Sequence, residues 1–204
     1  HTVYCGVDTA RFMPSNNKNT RWLFIGRLID CKGVTDILAA WKRLPEEARP
    51  MLDIVGDGPD AELLHGYMHQ HALENHVSFL GDKNASWIAE NAPNYCAFIS
   101  AFKEGRDGSR DTAPQVLKEA MAMGLPMVTT DFVDVPKVVH DDCALLCPPG
   151  DAGALAQAVL RIETMPVEQR QRMGEAGRKR AKTLFTLARQ AQEMLAVWTT
   201  LAGR

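Results

Sequence analysis

The sequence predicts an α/β fold: a doubly wound, mostly parallel six-stranded sheet with helices on both faces. Six short apolar runs recur along the 204 residues, each closed by Gly, Ser, Asp or Pro. The segments between several of them carry apolar residues at helical spacing. Near-continuous apolar runs suit parallel strands covered on both faces, and their alternation with helices points to a doubly wound sheet.

The elements follow in order. Residues 1–20 read as a linker entering the domain: the short apolar run Thr2–Asp8, then Phe12-Met13-Pro14, then a polar Ser15–Asn19 loop. The first strand is Trp22–Ile25, ended by Gly26. Val34, Ile37, Leu38 and Trp41 mark the first helix. Met51–Val55 forms the second strand and ends at Gly56. Pro59 suits the start of a helix bearing Leu63, Leu64, Tyr67 and Met68. His65, His69 and His71 fall on its polar side and read as solvent-exposed. Val77–Leu80, ended by Gly81, and Tyr95–Ile99, ended by Ser100, are the third and fourth strands.

A helix beginning near Pro114 shows a core face of Val116, Leu117, Ala120 and Met121, and Gly124 stops it. Pro126–Thr130 and Ala144–Cys147 complete the sheet. Asp151 opens a helix bearing Leu155, Ala158, Val159 and Ile162. From Val167 to Thr183 the chain is charged, and the run Arg178-Lys179-Arg180 with Lys182, near Glu168 and Glu175, reads as a solvated helix face. A last stretch, about Leu187 to Leu201, puts Ala191, Met194, Leu195 and Trp198 on one side with no strand after it. That stripe caps the sheet or belongs against a partner domain. The expected organisation is therefore 1–20 linker, 21–186 sheet domain, and 187–204 C-terminal helix.

Composition is ordinary for a globular chain, at 46% hydrophobic and 24% charged. A net charge of −2 gives no reason to expect nucleic acid or an anionic membrane as main partner. No apolar run approaches a membrane span and nothing at the start resembles a signal peptide, so a cytoplasmic location is expected. His1 stands where a methionine would be expected, and the chain reads as a fragment. The five cysteines lack a CxxC pair, which favours buried reduced thiols over a metal site or disulfides.

In such sheets ligands bind beyond the carboxyl ends of the strands, which directs attention to the loops. The loop Gly26–Gly33 carries Arg27, a planar fork for phosphate oxygens, and Lys32, a point charge at a helix start. Gly26 lets backbone approach a ligand closely. In Gly56-Asp57-Gly58-Pro59, Asp57 reads as the cap of the following helix. The backbone of Gly81-Asp82-Lys83 is placed to read a base edge. Lys103, Glu104, Arg106, Asp107 and Arg110 read as polar loop decoration.

The richest stretch is Arg106–Pro126. Asp111 and Glu119 stand eight positions apart, on either side of a helix N-terminus. That terminus presents unpartnered N–H groups and a positive dipole to an anion. Carboxylates beside it can accept hydrogen bonds from sugar hydroxyls. Phosphate on the N–H groups and hydroxyls on the carboxylates together suggest a nucleotide-sugar. Next to cations and a helix N-terminus these carboxylates should stay ionised, which favours hydroxyl binding over a general acid–base pair.

The motifs Gly26-Arg27…Lys32-Gly33, Ile54–Pro59, Val77–Gly81 and Asp111…Glu119–Pro126 occur in the order seen in retaining GT-B glycosyltransferases of family 4. Tyr4–Asp8 with Phe12-Met13-Pro14 resembles that family's interdomain segment. The nearest flavour is bacterial enzymes of exopolysaccharide, capsule or lipopolysaccharide synthesis. The resemblance covers nearly the whole chain. It implies the Rossmann-like C-terminal domain, which binds the nucleotide-sugar donor (a UDP- or GDP-sugar). An N-terminal domain outside this chain would bind a glycan or lipid-linked acceptor.

By that resemblance, Arg27 and Lys32 hold the donor diphosphate and stabilise the departing nucleoside diphosphate. Backbone N–H groups around Gln115, Val116 and Leu117 add to the phosphate site, with Gly26, Gly56 and Gly81 lining it. Glu119, the second acid of the family's E-x7-E pattern, binds the ribose. Asp111 stands at the first acid's position and faces the donor sugar, with a shorter reach than glutamate. The implied reaction transfers a hexosyl-type group with retention and needs neither metal nor another cofactor. Any membrane contact would lie in the other domain, and the isolated fragment is expected to be inactive. Two further readings stay open: a non-catalytic nucleotide or sugar-phosphate binding module, and a GT-B epimerase or phosphorylase relative.

Overall fold

The computed structural model describes residues 2–202. The strands are β1 (Trp22–Ile25), β2 (Leu52–Val55), β3 (Val77–Gly81), β4 (Ala97–Ile99), β5 (Met127–Thr130) and β6 (Ala144–Cys147). The helices are α1 (Val34–Arg43), α2 (Ala61–Gln70), α3 (Ala85–Asn91), α4 (Gln115–Ala122), α5 (Val135–Val138), α6 (Ala152–Thr164), α7 (Val167–Leu184) and α8 (Leu187–Ala202). All six strands pair in parallel, in the order β3-β2-β1-β4-β5-β6. The fold class read from the sequence is the one observed. No helix among the described residues is long and apolar enough to cross a membrane.

Strand alternation creates a core on each face. Trp22 and Phe24 of β1 point to the side covered by α1, α2 and α6, with Ile37, Trp41, Leu155 and Val159. Leu23 points to the other, with Phe98, Leu117, Met121 and Val138 under α3, α4, α5 and α7. The rings of Trp22 and Trp41 meet edge to face at 5.8 Å. Asp53 is the one acid buried in a strand among the described residues. Arg21 holds it through two nitrogens, and the Tyr95 hydroxyl donates to it at 2.8 Å. This cluster sits at the amino ends of the strands, opposite the edge that carries the βα loops.

Several expectations are corrected. Helix α2 starts at Ala61, two residues past Pro59, and its N-cap position is Asp60. Its buried face is Leu64 and Met68, an i, i+4 pair, while Leu63 is half exposed. Asp57 therefore caps no helix; its carboxylate accepts from the N–H of Gly58 at 2.7 Å. The basic run of α7 is not simply solvated. Arg178 donates to the carbonyls of Phe12 and Ala122, and Arg180 to those of Val138 (2.7 Å) and Lys137 (2.8 Å). Guanidinium forks satisfy carbonyls at segment ends, which a charge count does not reveal. Of the five thiols, Cys5 is exposed and Cys96 partly so, while Cys31, Cys143 and Cys147 are buried.

Residues 2–20 are fastened to the domain. Val7 and Phe12 are buried in the second core, and the Val7 N–H donates to the Phe185 carbonyl at 2.7 Å. Val7 also forms an isolated parallel bridge with Thr186, so the chain's way in lies beside the start of α8. Helix α8 buries no residue, and Leu195, Trp198 and Leu201 are each about 60% exposed.

Candidate functional site

The strand order reverses between β1 and β4, so the loops following those strands meet at the switch point, where ligands bind in sheets of this kind. Two glycines frame the β1–α1 loop. Gly33 adopts φ +66°, in the left-handed region, and a Cβ there would overlap the carbonyl oxygen of Ala101 just past β4. The loop therefore lies directly against the β4 end, and the Lys103 N–H donates across to the Cys31 carbonyl at 3.1 Å. The Lys32 stem passes Gly26, where an added Cβ would stand 3.9 Å from its Cδ.

The Lys32 ammonium lies 5.3 Å from the Phe102 ring centroid and forms an ion pair with Asp111. Both side chains are about one-fifth exposed. Residues 79 positions apart in sequence thus meet across the reversal point. The long β4–α4 loop is held by further ion pairs. Lys103 contacts Asp36 at 2.9 Å, Arg106 Nε meets Asp30 at 3.2 Å while its backbone N–H donates to the same carboxylate at 2.8 Å, and Arg110 meets Glu104 at 2.6 Å. Lys103, Glu104, Arg106 and Arg110 are loop fasteners as well as surface charge.

Beyond Asp111, Pro114 is extended (φ −55°, ψ 120°) and α4 begins at Gln115. The first N–H groups of α4, at Gln115, Val116 and Leu117, lack intrahelical partners by geometry. The Gln115 side chain turns away and donates to the Gly6 carbonyl at 2.8 Å. Leu117 is fully buried and Val116 partly so.

Glu119 lies one turn further on, partly buried. Burial raises its pKa, against the opposing fields of Arg11 and Lys118. Desolvation outweighs the two opposing cations here. Lys118 is wholly buried, and burial lowers its pKa. It donates to the Cys5 carbonyl at 3.0 Å and lies near the rings of Tyr4 and Phe185.

Arg27 is exposed and opens into a neighbouring cleft of about 460 Å³ at the carboxyl ends of β1, β2 and β3. Gly56, Asp57, Asp82, Lys83 and Ile88 share its lining. Gly56 adopts φ +135°, and a Cβ there would overlap the Gly26 carbonyl. The Gly56 N–H donates to the Gly81 carbonyl at 2.9 Å, so the three glycines line one edge.

The structure thus brings Lys32 to Asp111 directly and sets Arg27 with Gly26, Gly56 and Gly81. Glu119 forms no hydrogen bond or ion pair with Arg27 or Lys32 among the described residues; its charged neighbours are Arg11 and Lys118. Sequence reasoning missed Arg11, Phe102 and Lys118. Arg11 lies in a segment read as linker and Lys118 reads as an ordinary helical lysine, so only tertiary contact marks them. Among the described residues no group of three His, Cys, Asp or Glu side chains is placed to hold a metal ion.

Comparison with known proteins bears on this arrangement. The model of a family described as glycosyl transferases group 1 matches residues 8–180. The MMP alpha-(1->4)-mannosyltransferase of Mycolicibacterium hassiacum is 31% identical over 212 aligned residues, taking in 100% of this chain and 49% of that protein. The amylovoran biosynthesis glycosyltransferase AmsK of Erwinia amylovora is 30% identical over 163 residues, 77% of this chain and 40% of that protein. Anabaena Alr3699/HepE, solved in complex with UDP-glucose, superposes with a TM-score of 0.83 at 19% identity, over 97% of this chain and 57% of that one. The chain spans about half the length, or less, of these curated relatives. Its sheet and helices form a Rossmann-like unit of the GT-B fold.

Proposed function

Because this chain belongs to the glycosyl transferases group 1 family, we propose that it is the donor-binding domain of a retaining GT-B glycosyltransferase of family 4. The whole protein would transfer a hexosyl-type group from a nucleotide-sugar to a glycan or lipid-linked acceptor in polysaccharide biosynthesis. The observation that carries this reading is the Lys32–Asp111 pair, which joins the loops after β1 and β4 beside the α4 N-terminus. A cation and an acid meet there, with Asp111 in the loop that leads into α4, an arrangement that suits the junction of a diphosphate with a sugar. The named relatives include a mannosyltransferase and an amylovoran biosynthesis glycosyltransferase, and HepE holds UDP-glucose.

In this reading Lys32, Arg27 and the α4 N–H groups take the diphosphate. Their charge counts most as the bond from the anomeric carbon to the diphosphate lengthens and negative charge grows on the leaving oxygen. Asp111 accepts hydroxyls of the sugar, sharing the Lys32 ammonium, which has three N–H donors. Glu119 accepts ribose hydroxyls from within its partly desolvated position. The acceptor enters on the face the diphosphate leaves, which retains configuration. Helix α8, with its bare apolar stripe, packs on the N-terminal domain.

Titrating the chain calorimetrically with GDP, UDP and ADP tests the binding half of this reading. Saturable binding of a nucleoside diphosphate is expected, and no heat with any of the three would remove it. Incubating the full-length gene product with radiolabelled donors tests the transfer half. The isolated chain is expected to bind without turnover, because it forms one wall of the cleft.

A further inference from the structure

The cleft at the ends of β1, β2 and β3 holds two consecutive charged residues that no ion pair uses up. Asp82 and Lys83 follow β3 directly and line the cleft with Ile88. Among the described residues Asp82 has no hydrogen-bond or ion-pair partner, and the Lys83 ammonium has only the Trp87 ring, at 5.7 Å. The other charged groups lining the cleft are Arg27 and Asp57, and the Asp57 carboxylate already accepts from the Gly58 N–H. Ile25, Val55 and Ile88 supply apolar wall. Of the two carboxylates in the cleft, Asp82 is the one with no hydrogen bond, and it has a cation next to it in sequence and an apolar surface beside the loop that carries Arg27.

The hydrogen-bonding edges of the bases respond differently to such a pair. Guanine presents N1–H and N2–H side by side, which fit the two oxygens of one carboxylate, with O6 next in line for a cation. Adenine offers one exocyclic N6–H₂ and then an acceptor at N1. Uracil flanks its single N3–H with two carbonyl oxygens, so the second carboxylate oxygen would face a lone pair. A carboxylate and an ammonium in adjacent positions therefore favour guanine; Asp82 is exposed and Lys83 half-buried, so the discrimination expected is about tenfold rather than larger.

Resting on the donor-domain reading above, we infer that the nucleotide is guanosine-based: Asp82 accepts N1–H and N2–H of the base, and Lys83 donates to O6. The donor is then a GDP-sugar.

The test titrates the intact chain with GDP, UDP, ADP and inosine diphosphate, which lacks the N2 amine. GDP should bind at least about tenfold more tightly than UDP or ADP, the effect of about 1.4 kcal/mol. Inosine diphosphate should fall between, because it loses one of the two contacts to Asp82 without any change to the protein. Asp82→Asn should bring the GDP-to-UDP ratio below about three, and Lys83→Met should weaken GDP more than UDP. Asp82 is exposed, so folding of the variant is not at stake. UDP or ADP binding as tightly as GDP would overturn the inference and leave the donor-domain reading standing. So would a preference for GDP that Asp82→Asn leaves unaltered. Failure of all four ligands to bind would overturn both.

Discussion

Lys118 donates to the carbonyl oxygen of Cys5 at 3.0 Å, joining the helix that carries Glu119 to the segment by which the chain enters the domain. The same ammonium reaches Gln115 Oε1 at 3.3 Å, while the Gln115 amide donates to the Gly6 carbonyl. The Gly6 N–H in turn donates to Gln190 of α8 at 2.7 Å. Helix α4, the lead-in segment and the start of α8 form one hydrogen-bonded unit.

Lys118→Met keeps the apolar stem but leaves the Cys5 carbonyl and the Gln115 side chain short of a donor. The expected cost is about 1–3 kcal/mol, measured by urea denaturation. Faster hydrogen exchange at Gly6 and Val7 should accompany it. Unchanged stability and exchange would show that the buried ammonium does not fasten this segment.

Lys32→Met should weaken nucleoside diphosphate binding about tenfold or more, the loss of a charge-assisted hydrogen bond. Asp111→Ala removes the competing anion, so it should not weaken diphosphate binding. In the full-length enzyme the same change should depress kcat through the lost sugar contact. Calorimetry on both variants and steady-state kinetics on the second check this split.

Glu119→Gln separates stability from binding. Burial raises the carboxyl pKa, so the folded chain binds the proton more tightly than the unfolded one. The cost of the charge is absent below the unfolded-chain pKa. It grows as pH rises through the folded value and stays in full above it. The variant should therefore melt higher than the parent at neutral pH, with that gain vanishing in acid, and should bind nucleotide more weakly. Thermal melts across pH with parallel titrations decide it.

Gly56→Ala would drive a Cβ into the Gly26 carbonyl at a backbone angle of φ +135°. Loss of about 3 kcal/mol or more is expected, together with loss of nucleotide binding. Calorimetric melting measures the first, and titration the second.

Asp53→Ala strands Arg21 and the Tyr95 hydroxyl at the opposite edge of the sheet. About 3 kcal/mol of stability should go, with nucleotide affinity held within about twofold, since distant sites add independently. A large affinity change would show that the two edges communicate.

The sheet was legible because each strand is an apolar run with a breaker behind it. Ala144–Cys147 lies in the structure as it reads in the sequence, and Asp151 caps α6 by accepting from the Ala154 N–H at 2.8 Å. Helices α3 and α5, seven and four residues long, are too short to display a helical period. Asp57 was misread because an acid before a helix looks like a cap, yet the turn after Gly58 places Asp60 there. Arg178 and Arg180 were misread because their partners are carbonyls, which leave no mark in residue identity.

The amino-acid order by itself determined the six strands and the longer helices, and which loops at the strand ends carry cations, acids and glycines. These are local matters of periodicity, conformational freedom and capping. The tertiary structure alone decided that Lys32 meets Asp111, that Arg27 shares a cleft with Asp82, and that Glu119 is desolvated beside Arg11. Those depend on strand order and on how two cores close over one sheet. Burial of both faces sets that order, by bringing distant loops to the same edge.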